Sequence, residues 1–410
     1  MTDVVIAGGG AAGLMAAVTA GRRGLSVTIL EPNDRCGKKL RITGKGRCNV
    51  TSDSEPREFL QNVNANAKFL RSTLYAFPPS RAMEFFEELG VPLKTERGAR
   101  VFPVSDNAND VADALEKEAR ALGGSFRRER LRDIRTEEGS VSAAVTDRGT
   151  IPCRAVILCT GGLSYPGTGS TGDGYTLAKR LGHNVIPARA SLVPLEAEEI
   201  CRRMQGLSLR NTGLSLYRGD KLLYRDQGEM LFTHFGVSGP LILTASTFLT
   251  DEDVAACRLE LDLKPALSAE KLDERLLRDF SENQNRDFIN SLDALLPQKM
   301  IPVVVERSGI DPHTKVNSIT KLQRRTLRDL LKCFPIALYG RRPIAEAIIT
   351  AGGVDVAEVD PRSMESKLIP GLYFAGEILD IDARTGGFNL QIAWSTAHAA
   401  GSSVLRKEKE

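Results

Sequence analysis

The hydrophobic pattern opens on two short β-branched runs, Asp3-Val4-Val5-Ile6-Ala7 and Ser26-Val27-Thr28-Ile29-Leu30. Both have the length and composition of buried strands. The segment between them, Ala11 to Arg23, is Ala-rich and predicts a helix. A strand, a helix and a strand in so short a span predict a parallel sheet with a right-handed crossover. Residues 80–90 and 107–123 show amphipathic helical spacing closed by glycine, and residues 93–104 alternate about Arg97-Gly98 like a hairpin. A further buried strand, Ala155-Val156-Ile157-Leu158-Cys159, runs into Thr160-Gly161-Gly162.

Near residue 190 the pattern changes. From there to about residue 263 the chain alternates like a set of exposed-face strands, as at 213–217 and 258–263. Residues 268–280, 287–295 and 321–333 predict helices, and 335–339 a strand. Close to the C-terminus, 372–375 is again a short buried strand, and 388–405 reads as one long helix. The two ends therefore predict one α/β domain, made of 1–190 and 345–410. It is interrupted by a β-rich middle domain, 191–263 with 320–344, and a helical insertion, 264–319.

Composition narrows the partners. The 410 residues include 55 Lys plus Arg and 52 Asp plus Glu, a net charge of +3. That balance gives no reason to expect nucleic acid or an anionic membrane as partner. No apolar run approaches the roughly 18 residues of a membrane span. The N-terminus shows neither the basic region nor the cleavage site of a signal peptide, so the expected location is cytoplasmic. The seven cysteines, at 36, 48, 153, 159, 201, 257 and 333, form no C-x-x-C pair. Reduced thiols are expected, with neither a disulfide frame nor a metal site.

The candidate chemistry starts at Gly8-Gly9-Gly10-Ala11-Ala12-Gly13, a G-x-G-x-x-G directly after a strand and opening a helix. Gly8 suits the tight turn, Gly10 a close approach of backbone to a pyrophosphate, and Gly13 close helix–strand packing. The helix N-terminus offers free N–H groups and positive dipole to the phosphates. Glu31 follows the second strand at the distance where an acid accepts ribose hydroxyls. Late in the chain, Gly371-Leu-Tyr-Phe-Ala-Gly376-Glu377 is a strand ending in A-G-[DE]. Asp380, Asp382 and then Gly386-Gly387-Phe388-Asn389-Leu390-Gln391 follow, opening the last helix. The paired motifs favour FAD, with the last helix placed to stabilise negative charge on the reduced ring. No second fingerprint for NAD(P)H is present, which leaves NAD(P)H as a transient electron donor at most.

Several strings then resemble one family: GKKLRITGKGRCNVTS (37–52), ILCTGGLSYPGTGSTGDGYTLAKRLGH (157–183), LFTHFGVSGPLIL (231–243), ITAGGV (349–354) and MESKLIPGLYFAGEILDIDARTGGFNLQIAWSTAHAAG (364–401). The chain resembles the bacterial NAD(P)/FAD-dependent oxidoreductases that include aminoacetone-oxidase-type flavoproteins. The resemblance implies a Rossmann-like FAD domain, a β-barrel-like middle domain and a small helical domain. It implies FAD contacts at Lys39, Gly44, Gly46, Arg47, Cys48, Asn49, Leu131, Thr160, Gly161, Gly162, Gly376, Glu377, Gly387, Phe388, Asn389 and Leu390. These join Gly8, Gly10, Ala11, Ala12, Gly13 and Glu31 from the fingerprint.

Other residues carry weaker signals. Cys36 and Cys48 lack the spacing of a redox dithiol, so Cys48 reads as a packed residue beside the cofactor. Tyr165, in the turn-rich 164–174 segment, is a candidate proton donor, and His234 a candidate in a middle-domain strand. Arg341-Arg342 and Lys321–Arg328 read as solvated basic stretches. The expectation is an FAD-dependent oxidoreductase moving a hydride between flavin and a small organic substrate held between the FAD and middle domains. The alternatives are an NAD(P)H-driven reductase of an unsaturated acceptor, and a non-catalytic or RNA-associated flavoprotein.

Overall fold

The first apolar run forms the strand Thr2–Ala7, with Val4 to Ala7 buried, and the second forms Val27–Leu30, buried throughout. They pair in parallel, Val4 opposite Val27 and Ala7 opposite Leu30, with the helix Ala11–Arg22 as the crossover. In this computed structural model, which describes residues 2–406, the chain divides into two units: 1–191 with 344–410, and 192–343.

In the first unit the strands run in the order Ser125–Arg127, Val27–Leu30, Thr2–Ala7 and Gly149–Leu158, all parallel, and Leu372–Phe374 pairs in parallel with the last of these. Strand Gly149–Leu158 serves twice. Its second half, Cys153 to Leu158, lies in the parallel sheet. Its first half pairs antiparallel with Ser140–Thr146, which pairs with Leu131–Glu137 to complete a meander.

The first helix and the last, Phe388–Ser403, are buried on most of their faces because their contact residues are small. A Cβ on Gly401 would stand 2.8 Å from the Thr19 Cβ, so the helices approach almost backbone to backbone. Arg23 then caps the last helix by donating from Nη1 to the carbonyls of Gly401 (2.8 Å) and Val404 (2.7 Å).

The second unit is a closed antiparallel barrel. Its strand order is Leu195–Ala197, Gly236–Ser238, Lys221–Phe232, Ser208–Arg218, Cys257–Asp262 and Phe334–Arg341. Helices Ala269–Glu282, Ile301–Ser308 and Lys321–Lys332 accompany it. Leu214, Phe232 and Phe334 of the barrel share one apolar core with Leu276, Val304 and Leu331 of the helices. The segment 264–319, read from sequence as a separate insertion, thus has no core of its own.

Local differences from the sequence reading have local causes. The helix expected over 287–295 is a single 3₁₀ turn, Phe288–Asn290. Ser291 donates from its hydroxyl back to the Phe288 carbonyl (2.7 Å), an alternative to helical pairing that serine offers readily. The helix forms instead at Ile301–Ser308, with Pro302 in its first turn, where no N–H is needed. Helix Ala67–Ala76 and the meander were not anticipated.

Among the described residues no helix is long and apolar enough to cross a membrane, and no group of three or more His, Cys, Asp or Glu side chains is placed to hold a metal ion.

Candidate functional site: a dinucleotide cradle at the strand ends

The C-terminal ends of four parallel neighbours carry four of the predicted motifs. Glu31 follows Val27–Leu30, and Gly8 to Gly13 follow Thr2–Ala7. Thr160-Gly161-Gly162 follow Gly149–Leu158, and Gly376-Glu377 follow Leu372–Phe374. This edge of an open parallel sheet is where ligands of such folds bind.

The glycines of the fingerprint differ in what they do. Gly8 has φ +104°, and any Cβ there would lie 2.4 Å from the Cys159 carbonyl oxygen. A Cβ on Gly13 would fall 1.8 Å from the Gly8 carbonyl oxygen, so the helix can seat against the strand only with glycine there. A Cβ on Gly10 would meet nothing within 4 Å: this is the open face of the cradle. The N–H groups of Ala11, Ala12 and Gly13 precede the first helical bond, Leu14 N–H to Gly10 O, and are therefore free to point at an anion. Glu31 accepts from the Gly9 N–H (2.9 Å), and from the Asn33 N–H (2.9 Å) and Nδ2 (2.7 Å). These bonds hold its carboxylate beside the turn.

Glu377 is the centre of a second cluster. Its Oε2 accepts from Lys39 Nζ (2.6 Å), and its Oε1 accepts from Ser164 Oγ (2.7 Å) and the Thr350 N–H (2.9 Å). Lys39 also donates to Ser164 Oγ (2.6 Å). Thr350 Oγ1 in turn accepts from the N–H groups of Leu163 and Ser164 at 2.8 and 3.1 Å. One ion pair thereby ties together the segments after Gly162 and Gly376, the strand Ile349–Val354 and the helix Lys38–Ile42. The turn at Gly376 lies against the first helix: a Cβ there would stand 2.7 Å from the Ala12 Cβ.

The last helix begins against residues 49–52, since a Cβ on Gly387 would lie 2.3 Å from the Thr51 carbonyl carbon. This sets Gly387 against the short strand Thr51–Ser52 that follows the Gly44–Asn49 loop. Asn389 does not present its side chain to a ligand. It donates to the carbonyls of Ala383 (2.9 Å) and Arg384 (3.2 Å) and accepts from the Ala383 N–H (3.0 Å). Only main-chain N–H groups of Phe388, Asn389 and Leu390 precede the bond from Gln391 N–H to Gly387 O. Gln391 is fully buried, accepting from Thr51 Oγ1 (2.7 Å) and donating to the Phe77 carbonyl (2.9 Å).

The other predicted residues fall as follows. Arg47 is engaged by Glu96 and Asp106 and lies over the Phe102 ring at 4.1 Å, so its guanidinium secures the loop. Cys48 is fully buried, with φ +60°, and burial pushes its thiol pKa well up; burial likewise pushes Cys36 up to about 12. Neither has the thiolate character of a redox dithiol. Leu131 opens the meander beside Arg130, which bonds to Asp173 and Thr171 of the segment following Gly162. Tyr165 is half-buried in left-handed backbone (φ +51°), and among the described residues its hydroxyl has no hydrogen-bond partner. His234 lies in a bend between strands, exposed, with its ring on Phe235, and not within a strand as the sequence suggested.

Sequence reasoning missed Thr350 and the role of Ser164. The signal for Thr350 was its place inside the ITAGGV string. Nothing local to Ser164 distinguishes it from the other hydroxyls of its loop.

The cradle fits a dinucleotide on its own polar atoms. Besides the open face at Gly10, Asn49 Oδ1 and Thr160 Oγ1 are buried without a protein partner, each on a segment of the cradle. Buried polar atoms are rarely left so unless a ligand completes them.

A fold of this kind, with one cradle at the strand ends and a second helix N-terminus beside it, defines a flavoprotein of the Rossmann type. The chain belongs to the HI0933-like family: it matches the description "HI0933-like protein Rossmann domain" over residues 2–403. It is 30% identical, over 99% of both chains, to the ribosomal RNA dihydrouridine synthase of Haemophilus influenzae. It is 29% identical to the 3-dehydro-bile acid delta(4,6)-reductase of Clostridium scindens, over 99% of this chain and 100% of that one. Among solved structures it shares the fold of the 3-ketosteroid delta1-dehydrogenase from Sterolibacterium denitrificans, with a TM-score of 0.54, 14% identity, and 97% and 98% of the two chains covered. The chain is an FAD-dependent oxidoreductase.

Proposed function

We propose that the protein reduces a carbon–carbon double bond conjugated to a carbonyl in a small organic substrate, with NAD(P)H as a transient electron donor. The observation that carries this reading is the full-length similarity to two kinds of reductase whose names describe saturation of such a bond, in a bile acid and in uracil. When bound, FAD supplies the two-electron hydride chemistry.

The chain's own residues bind and orient. The free N–H groups of Ala11, Ala12 and Gly13 would hold the pyrophosphate, and Glu31 the adenosine ribose. The Lys39–Glu377 pair fixes the segments after Gly162 and Gly376 that would hold the rest of the dinucleotide. The free N–H groups at Phe388 to Leu390 would stabilise negative charge at the start of the last helix. Tyr165 holds the proton for the carbon not receiving hydride, since its hydroxyl is uncommitted.

Anaerobic stopped-flow measurement tests this. NADPH or NADH should bleach the visible flavin band, and a conjugated enone should restore it. An unbleached flavin in both cases, with rapid bleaching by amine donors, overturns the reductase reading in favour of an oxidase.

A second reading shares the bond chemistry but not the substrate: a uracil ring carried on RNA. The similarity to the ribosomal RNA dihydrouridine synthases of Haemophilus influenzae and Escherichia coli, at 30% and 28% identity, supports it. Dihydrouridine measured by mass spectrometry in ribosomal RNA treated with the reduced enzyme separates the two. RNA left unmodified, while a small enone is turned over, removes this reading.

A further inference from the structure

The barrel unit holds a cavity of about 170 Å³ that the cofactor chemistry does not use. It opens where strand Ser208–Arg218 departs from both neighbours. Against strand Lys221–Phe232, the register passes from Leu209 opposite Met230 to Thr212 opposite Gly228, so three steps on one strand face two on the other. The extra residue makes a bulge at Arg210-Asn211, a device that re-aims side chains out of a ladder. On the other side, pairing with Cys257–Asp262 begins only at Gly213.

The wall of the cavity is basic. Arg210 and Lys264 line it, with Asn211 and Ser208, over an apolar floor that includes Leu263 and Met300, and no carboxylate is among its lining residues. Asn211 accepts from Gln227 Nε2 through its Oδ1 (2.7 Å), which leaves its amide N–H groups as donors. Ser208 gives its hydroxyl to the exposed Glu229 (3.0 Å), and the Asp262 carboxylate accepts from the Lys264 main-chain N–H (2.9 Å), so two acids stand at the rim. Among the described residues neither Arg210 nor Lys264 forms an ion pair. Lys264 is half-buried, and burial, with the nearby Arg275, pushes its pKa down. Asp262, the acid bonded to its main-chain N–H, is already matched by an ion pair with Lys332. A desolvated ammonium without a counter-charge is costly, and an anion in the cavity relieves that cost.

We propose that this cavity is a subsite for a phosphate-type oxyanion, held by Lys264, Arg210 and the Asn211 amide. The oxyanion belongs either to a free small-molecule phosphate or to the backbone of an RNA strand.

The test uses the full FAD-loaded protein and inorganic phosphate as probe, read by isothermal titration against sodium chloride of equal ionic strength. Phosphate should bind, and Lys264→Met should weaken it about tenfold or more, the cost of losing one charged hydrogen-bond partner. Lys264→Arg should restore most of the binding. Arg210→Gln, on an exposed side chain, should weaken it several-fold and guards against a misfolded Lys264 variant. A short uridine-rich RNA that competes with phosphate in a Lys264-dependent way identifies the backbone source. An RNA that fails to compete identifies a free phosphate. Heat no different from that of chloride, or phosphate binding equal in wild type, Lys264→Met and Arg210→Gln, overturns the proposal.

Discussion

At the scale of single residues, the sequence shows the chemistry better than its support. Glu31 and Glu377 are legible because each follows a short buried strand in a recognisable string. The groups that fix Glu377, Ser164 and Thr350, are 213 and 27 residues from it in the chain and meet it only in the fold. The buried His183 and the half-buried His398 are equally silent in sequence. His398 stacks on Phe77 with ring centroids 4.4 Å apart, and burial, with Arg81 and Arg22 nearby, lowers its pKa to about 4. His183 is also pushed down by burial, against the pull of Glu358. A depressed histidine is neutral in the folded chain and takes up its proton on unfolding. Its contribution is therefore complete above the unfolded value near 6.5 and falls away as the pH drops toward the folded value. Wild type should lose about 1–2 kcal/mol of stability through His398 between roughly pH 7.5 and pH 5. His398→Gln, which cannot charge, should show a shallower loss over that range. Thermal melts at several pH values check this, and parallel profiles for the two proteins would refute it.

At the scale of elements, the pattern predicts the long helices and the short buried strands, and it misplaces a helix at 287–295. The first helix and the last stand nearly where the pattern put them, because small residues recur along both. The 287–295 segment failed because its apolar spacing suits a helix while Ser291 and the turns around it offer the backbone other partners. The entry to the last helix was assigned to the cofactor as a block, yet its parts divide. The N–H groups face outward from the helix start, and the Asn389 side chain closes the preceding loop with three bonds to Ala383 and Arg384. Asn389→Ala should therefore cost about 1–2 kcal/mol in the melting of the apoprotein, from the loss of three half-buried hydrogen bonds. It should also weaken FAD retention by releasing the loop that orients the helix. If Asn389 instead bound flavin directly, the apoprotein would melt as wild type and only the FAD-loaded form would suffer.

At the scale of the whole molecule, the chain carries two separate apolar cores. One contains only residues up to Ala178 and from Val354 onward, and the other only residues from Leu195 to Leu338. Every residue of the dinucleotide cradle lies in the first unit. The chain leaves and re-enters that unit at the ends of one antiparallel pair, Val185–Ser191 with Ile349–Val354, where Ser191 stands opposite Ile349. Ser191 is anchored there by its hydroxyl bond to the buried Asp382 (2.9 Å), which also accepts from Asn64 (2.8 Å). The two exit points are thus fixed next to each other by bonds inside the first unit, so a short linker can span them. Replacing residues 192–343 by a brief Gly/Ser linker should leave a protein that still acquires FAD and shows its visible absorbance. The same protein should have lost turnover of any substrate that depends on the barrel unit. A soluble, folded product that takes up no flavin would show that the cradle is not complete within the first unit, and the assignment of cofactor binding to its strand ends would have to be abandoned.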